Sequence, residues 1–180
     1  MTLRPAAVAM TIVESADGEA SFVITRRKAS LRRHSGQWAL PGGRLDEGED
    51  AVTAALRELD EEVTLRRGKD SVLGILDDYP TRSGFRITPV VVWGGPGVEL
   101  VPDPEEVAEV HRVPIAGLDA PGIPKLFDLE ASDRPVLSVR ILGHDIFAPT
   151  AAVIFQFREV AMHGRDTRVA HYDQPPFAWK

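Results

Sequence analysis

A chain of 180 residues, 43% hydrophobic and 27% charged, is long enough to bury a proper core and is read as one globular domain spanning 1–180. Its formal net charge of −6 argues against broad nucleic-acid binding, which needs a basic surface. Having no cysteine, it can carry no disulfide framework, no thiolate zinc site and no cysteine nucleophile.

The first apolar run, "AAVAMTIV" (6–13), alternates and ends at Glu14 without a cleavage signal, so it predicts a strand and not a leader peptide. Nothing in the chain approaches the length of a membrane-spanning helix, and the cytoplasm is the expected location. "ASFVITRR" (20–27) predicts a second strand, joined to the first by a turn at Asp17-Gly18. A basic segment, "RRKASLRRHSGQW", then leads into "ALPGGRLDEGED". Asp50 is placed to cap a helix running from about Ala51 to Val63.

Further on, "SVLGILDDY" and "FRITPVVVW" are β-rich runs on either side of a turn at Arg82-Ser83-Gly84. "GGPGVELVPDPEEV" is Gly/Pro-rich and acidic, and predicts an exposed loop. "PVLSVRIL" and "HDIFAP" predict a hairpin around Gly143. Thr150 is placed to cap a last helix over 151–163, with Val153, Ile154, Phe157, Val160 and Ala161 as its apolar stripe and Gly164 as its stop. Strands on both sides of one helix, with a second helix late, suggest an α/β fold in which a mixed sheet lies between helical layers.

The helix over 51–63 raises the functional question. At about 100° per residue, with Glu58 as zero, Glu61 falls near about −60° and Glu62 near about +40°, so the three carboxylates share one arc. Val52, Leu56, Leu59 and Val63 cluster on another face as the expected buried stripe. Ala51, Ala54 and Ala55 lie on the carboxylate side, where small side chains would leave room for something to approach. A solvated acidic face is the ordinary meaning of such a pattern. Two features weigh against it. Like charges three and four residues apart repel, and glutamates in a final turn face the negative end of the helix dipole. A divalent cation would resolve both conflicts, and an all-oxygen donor set suits Mg²⁺ or Mn²⁺ better than zinc. The preceding "PGG" allows the backbone to approach a ligand closely, and Glu49 and Arg57 are spaced to pair across the start of the helix.

Residues 43–65 resemble the box of the Nudix hydrolases, GX5EX7REUXEEXGU, with U a bulky aliphatic residue. Gly43, Glu49, Arg57, Glu58, Leu59, Glu61, Glu62 and Leu65 stand in register, and Thr64 stands where the family has glycine. The resemblance implies a Nudix α/β/α sandwich that hydrolyses a nucleoside diphosphate linked to another moiety. It further implies that Glu58, Glu61 and Glu62, with the Gly42 carbonyl, hold Mg²⁺ (or Mn²⁺). Glu58 or Glu61 would deprotonate the attacking water, and Gly43, Glu49 and Arg57 would be structural and orienting.

The segment "VITRRKASLRRHSGQWALPGG" is similar to the upstream signature of the coenzyme A diphosphatase branch, with Ile24, Thr25, Arg27, Arg32, Gly36, Pro41, Gly42 and Gly43 matching in spacing. That implies coenzyme A or an acyl-CoA as substrate, cut to 3′,5′-ADP and a 4′-phosphopantetheine. The alternatives are another nucleotide diphosphate such as ADP-ribose, NADH or an oxidised nucleotide, or a module that senses a nucleotide without cleaving it. Of the basic run, Arg27 and Arg32 are the expected substrate contacts, since the arginine fork suits phosphate. His34 is a weaker candidate. Trp38 is expected in the core before the PGG turn, and one of Glu105, Glu106 and Glu109 is a candidate further acid at the site. A homodimer is a further possibility by analogy with the family.

Overall fold

A computed structural model describes residues 2–30, 36–130 and 132–178. The two first strands, β1 (Arg4–Glu14) and β2 (Ala20–Arg27), form the expected antiparallel hairpin, with Ile12 opposite Phe22. Two short strands follow, β3 (Trp38–Ala39) against β2 and β4 (Gly42–Arg44) against β1. Beyond the helix α1 (Ala51–Val63) come β5 (Val72–Ile75), β6 (Tyr79–Pro80), the long β7 (Phe85–Pro96) and β8 (Val107–Pro114). Among the described residues these make one eight-stranded sheet with the path β3-β2-β1-β7-β5. It is mixed because β1 and β7 run parallel, from Arg4 opposite Phe85 to Glu14 opposite Pro96, while every other pair is antiparallel.

Side-chain alternation along β1 divides the core in two. Ala7, Ala9 and Val13 point to α1 and pack with Val23, Val90 and Val92 against Ala54, Ala55, Leu56, Leu59 and Val63. Met10 and Ile12 point to the other face with Phe22 and Ile24. There they meet α2 (Thr150–Phe157) and a three-stranded antiparallel sheet of β9 (Lys125–Leu129), β10 (Ser132–Ile141) and β11 (His144–Phe147). The result is an α/β/α sandwich.

α1 has the predicted bounds and cap, the Asp50 carboxylate accepting from the Thr53 N–H at 2.7 Å. Its buried face differs from the expected one. Ala54 and Ala55 are fully buried and Val52 only half-buried, so the alanines open no space for a ligand. They are small because Ala7 and Ala9 lie directly beneath them, and methyl-on-methyl contact lets the helix sit close to the sheet.

The last helix also departs from expectation. Pro149 stands at its N-cap with no side-chain cap, so Thr150 is the first helical residue and not the cap. The α-helix ends at Phe157 and passes into a π-helical turn, Arg158–Met162. All residues from Ala151 to Phe157 are buried, whereas Val160 is 40% exposed. A helix enclosed by two sheets has no polar side to give it a stripe. Gly164 closes it as predicted, at φ +62° with its N–H on the Val160 carbonyl. The acidic connection is shorter than its composition suggested: β7 holds through Pro96 and β8 begins at Val107.

The segment after α2 returns across the molecule and is pinned at Asp173. This carboxylate is almost fully buried and is gripped by the Arg82 guanidinium (Nε at 2.8 Å), the Ser132 hydroxyl and the Gln174 N–H, with Arg134 at 3.4 Å. Arg82 above all holds its pKa well below the usual carboxylate range, against the opposing effect of burial. The folded state therefore binds fewer protons here than the unfolded chain once the pH drops below about 4, the ordinary carboxylate pKa. The stability this contact supplies is complete above that pH and is lost as the pH falls. Asp173→Asn should cost about 2 kcal/mol near neutrality and shrink toward nothing in acid. Urea unfolding of both proteins between neutral pH and pH ~3 checks this; a difference that stays constant with pH would refute it.

Candidate active site

The C-terminal half of α1 carries the acids, and Arg57 organises them. Its Nε and Nη2 take both oxygens of Glu49, at 3.0 and 3.1 Å, so the two residues do pair across the helix start. Glu49 also accepts from the Asp46 N–H at 2.9 Å, and Arg57 Nη2 donates to the Arg44 carbonyl at 3.0 Å, which ties the loop over 45–50 and β4 to the helix. The Glu49 carboxyl is held below its ordinary pKa, chiefly by Arg57. From the same guanidinium, Nη1 reaches Glu58 at 3.0 Å and Glu61 at 3.1 Å. One cation thus sits between two of the expected metal-holding carboxylates.

Glu62, the third, turns inward and is 3% exposed. Its hydrogen bond is a long one from the Gly42 N–H, 3.4 Å. Burial, with the charges of Glu58 and Glu106 adding to it, pushes its pKa up to about 8. Burial likewise raises Glu58, against the pull of Arg57.

Gly42 and Gly43 are glycine for two different steric reasons. A Cβ on Gly42 would stand 2.4 Å from the Ala7 carbonyl oxygen and 2.8 Å from the Val8 Cα, because β4 lies tight on β1. A Cβ on Gly43 would stand 2.1 Å from Glu58 Oε1. The first glycine lets the strand pair; the second makes room for the carboxylate.

At the other end of the box, Thr64 adopts the left-handed conformation, φ +58°, that a glycine there would take freely. Its N–H caps the Asp60 carbonyl and its hydroxyl donates to the Val101 carbonyl at 2.9 Å, which offsets the strain on a β-branched residue. The N–H groups of Val101 and Asp103 in turn bond the carbonyls of Val63 and Glu62. The acidic loop is thereby strapped to the end of α1, and this brings Glu106 to the site.

These groups open on one cavity of about 1150 Å³. Glu58, Glu61, Gly42, Gly43 and Arg27 line it, and of the three further acidic candidates so does Glu106 alone. Glu109 is engaged by Arg26 and His111, at 3.2 and 2.8 Å, and Glu105 is exposed in the loop. Arg27 stands at the end of β2, and its Nε is buried without a hydrogen-bond partner among the described residues. Arg32, Arg33 and His34 lie outside the described residues. Trp38 is not a core residue in full: half-buried, it packs between the rings of His111 and His144, 5.3 Å from each, and also lines the cavity. Arg4, Arg44, Arg82, Phe85 and Gln174 line it too, and no motif marked them.

Among the described residues, no group of three or more acidic, His or Cys side chains is gathered in metal-holding geometry. The donors fit a hard cation in kind. They are all oxygens, and the buried Glu62 carboxylate faces the charges of Glu58 and Glu106 with little to balance it. Arg57 holds Glu58 and Glu61 at the place where such a cation would be shared.

The NUDIX domain family matches residues 3–138. A Nudix hydrolase NudL of Photorhabdus laumondii, itself uncharacterized, is 35% identical over 161 residues, covering 87% of this chain and 84% of that one. NudL of Cronobacter sakazakii is 38% identical over 114 residues, 63% of this chain and 58% of its own length. The Mycobacterium smegmatis Nudix hydrolase RenU has a similar fold, with a TM-score of 0.58 over 93% of this chain and 91% of its own, at 19% identity. The chain belongs to the NUDIX family, and its chemistry is Nudix-type hydrolysis of an acid anhydride.

The two glycines separate structure from activity. Gly42→Ala meets backbone and should cost about 1–3 kcal/mol of stability. Gly43→Ala should melt close to the native protein, yet lose roughly 10–100-fold in turnover because Glu58 is displaced by about an ångström. Thermal melts and rate assays on both variants check this, and full activity in Gly43→Ala would refute it.

Proposed function

We propose that the protein cleaves a nucleotide diphosphate joined to a second group, with coenzyme A or an acyl-CoA as its favoured substrate. The observation that carries the reading is a single cavity lined by Glu58, Glu61 and Glu106 together with Arg4, Arg27, Arg44 and Arg82. At about 1150 Å³ it exceeds the few hundred to about 1,000 Å³ of most small-ligand sites, and so suits a long substrate. The finer preference rests on the spacing of Ile24, Thr25, Arg27, Arg32, Gly36 and the PGG turn.

In this reading Glu58, Glu61 and Glu62, with the Gly42 carbonyl, hold Mg²⁺ or Mn²⁺, which when bound supplies Lewis-acid charge neutralisation at the diphosphate. Glu58 or Glu61 takes the proton of the attacking water. Glu58 lies over Gly43 and is the more buried of the two, Glu61 is the more exposed, and Arg57 holds both. Arg57 and Glu49 fix the helix and loop so that both carboxylates face the same point. Arg27, which lines the cavity, offers its guanidinium to a phosphate oxygen.

The second reading is a less selective hydrolase of ADP-ribose, NADH or an oxidised nucleotide, which the same acid end would serve equally well. A module that only senses a nucleotide is disfavoured, since Glu49, Arg57, Glu58, Glu61 and Glu62 are all present.

Product analysis with Mg²⁺ and, in parallel, coenzyme A, dephospho-coenzyme A and ADP-ribose tests the reading. Release of 3′,5′-ADP much faster than the other products supports the coenzyme A preference. A faster reaction with ADP-ribose replaces it with the second reading, and no turnover of any diphosphate overturns catalysis. Glu58→Gln and Glu61→Gln, assayed at saturating Mg²⁺, identify the base: its loss should cost roughly 10²–10⁴-fold. Equal, small losses would mean that neither residue is the base.

A further inference from the structure

Five arginines bear on the cavity or its nearest strands, and their partners sort them. Arg26 is bound to Glu109, and Arg82 to Asp173. Arg27 lies beside Glu62, whose charge it favours. Arg4 and Arg44, like Arg27, have no ion pair among the described residues. Both guanidinium groups instead rest against the ring of Phe85, with the central carbon of Arg4 at 4.1 Å from its centre and that of Arg44 at 5.2 Å.

The sheet register produces this arrangement. Arg4 pairs with Phe85 across the parallel β1–β7 ladder, and Arg44 pairs with Ala6, two residues along the same strand. Alternation along β4 sends Gly43 toward Glu58 and Arg44 to the opposite face. Arg4 donates one N–H to the Ser83 carbonyl at 3.1 Å, which leaves the rest of its fork free, and Arg44 makes no side-chain hydrogen bond among the described residues. Ring contact braces both side chains without neutralising them. Two guanidinium groups braced on one ring thus stand on the cavity wall, Arg44 on the opposite face of β4 from the side of Gly43 that meets Glu58.

We propose that Arg4 and Arg44, propped on Phe85, form a subsite for a phosphate monoester of the substrate separate from the diphosphate that is cut. A phosphate monoester carries a charge between about −1.5 and −2 at neutral pH, which matches two guanidinium groups better than a single carboxylate or a neutral base does. Arg27, beside Glu62 and Glu106, then serves the diphosphate. The subsite rests on the reading that the substrate occupies this cavity, and it decides selectivity within that reading.

Calorimetric titration without metal, using 3′,5′-ADP and 5′-AMP as probes, separates the subsite from catalysis. The native protein should bind 3′,5′-ADP at least about tenfold more tightly than AMP, since hydrogen bonds to a charged group are worth that much. Arg4→Gln and Arg44→Gln should each shrink the ratio severalfold and together bring it to about one, whereas Arg44→Lys should retain part of it. Thermal melts of the same proteins establish that they are folded. A ratio unchanged in the double variant overturns the subsite. So does a ratio that collapses in Arg27→Gln alone, which would seat the second phosphate at the acid end. A native ratio near one, in a protein that still hydrolyses diphosphates, overturns the subsite and the coenzyme A preference but leaves the hydrolase standing. Binding of neither nucleotide overturns the placement of the substrate in this cavity.

Discussion

The close seating of α1 on β1 and β4 is the constraint on which the site depends. Methyl groups at Ala7, Ala9, Ala54 and Ala55, and no side chain at all at Gly42 and Gly43, bring the helix and strands together. Only at that separation can Glu62 reach the Gly42 N–H and Glu58 lie over Gly43. A larger residue at the alanines would lift the helix, one at Gly42 would part β4 from β1, and one at Gly43 would push the Glu58 carboxylate aside. Packing density here serves placement more than stability, because each methyl buries little area but fixes where a charged group falls.

That placement creates an electrostatic debt, which the surrounding residues reduce without cancelling. Arg57 sits at the crossing of Glu49, Glu58 and Glu61 and so offsets part of the like-charge repulsion. The negative end of the helix dipole is answered by the loop N–H groups of Val101 and Asp103 and by the N–H of Thr64, which take up the last carbonyls. Glu62 receives no such relief. It is a buried carboxylate with one long hydrogen bond, raised in pKa first by burial and then by the charges of Glu58 and Glu106, against the pull of Arg27. The acids at the end of the helix are therefore more than a solvated face: one is buried, and the other two are held by Arg57.

Much of this was legible in the sequence because it is local. The bounds and cap of α1, the pairing of Glu49 with Arg57 and the hairpin at Gly143 follow from spacing within a few turns of one element. The misreadings have a common cause. Ala54 and Ala55 look like open space until Ala7 and Ala9 are known to lie beneath them, and Val160 looks buried until a π-helical turn rotates it outward. What the sequence could not show is how Thr64 serves in place of glycine: its hydroxyl donates to the Val101 carbonyl, 37 positions away. The Arg4–Phe85–Arg44 stack needs the parallel register of β1 with β7, which no periodicity encodes.

The cavity has a polarity that follows from the same register. β4 is a short strand with one face toward α1 and the other toward the open sheet, so neighbouring residues on it serve opposite ends of the site. Gly43 makes room for an acid, while Arg44 points a cation the other way. The cavity along this strand is therefore lined by carboxylates on the side of α1 and by guanidinium groups on the other face of β4. The C-terminal segment completes the wall: Asp173 takes Arg82 out of play, and Gln174 accepts from the Arg82 N–H to fix the turn beside Phe85. The contact that fixes the tail thus also neutralises one arginine of the cavity wall, while Arg4 and Arg44 are braced on the Phe85 ring.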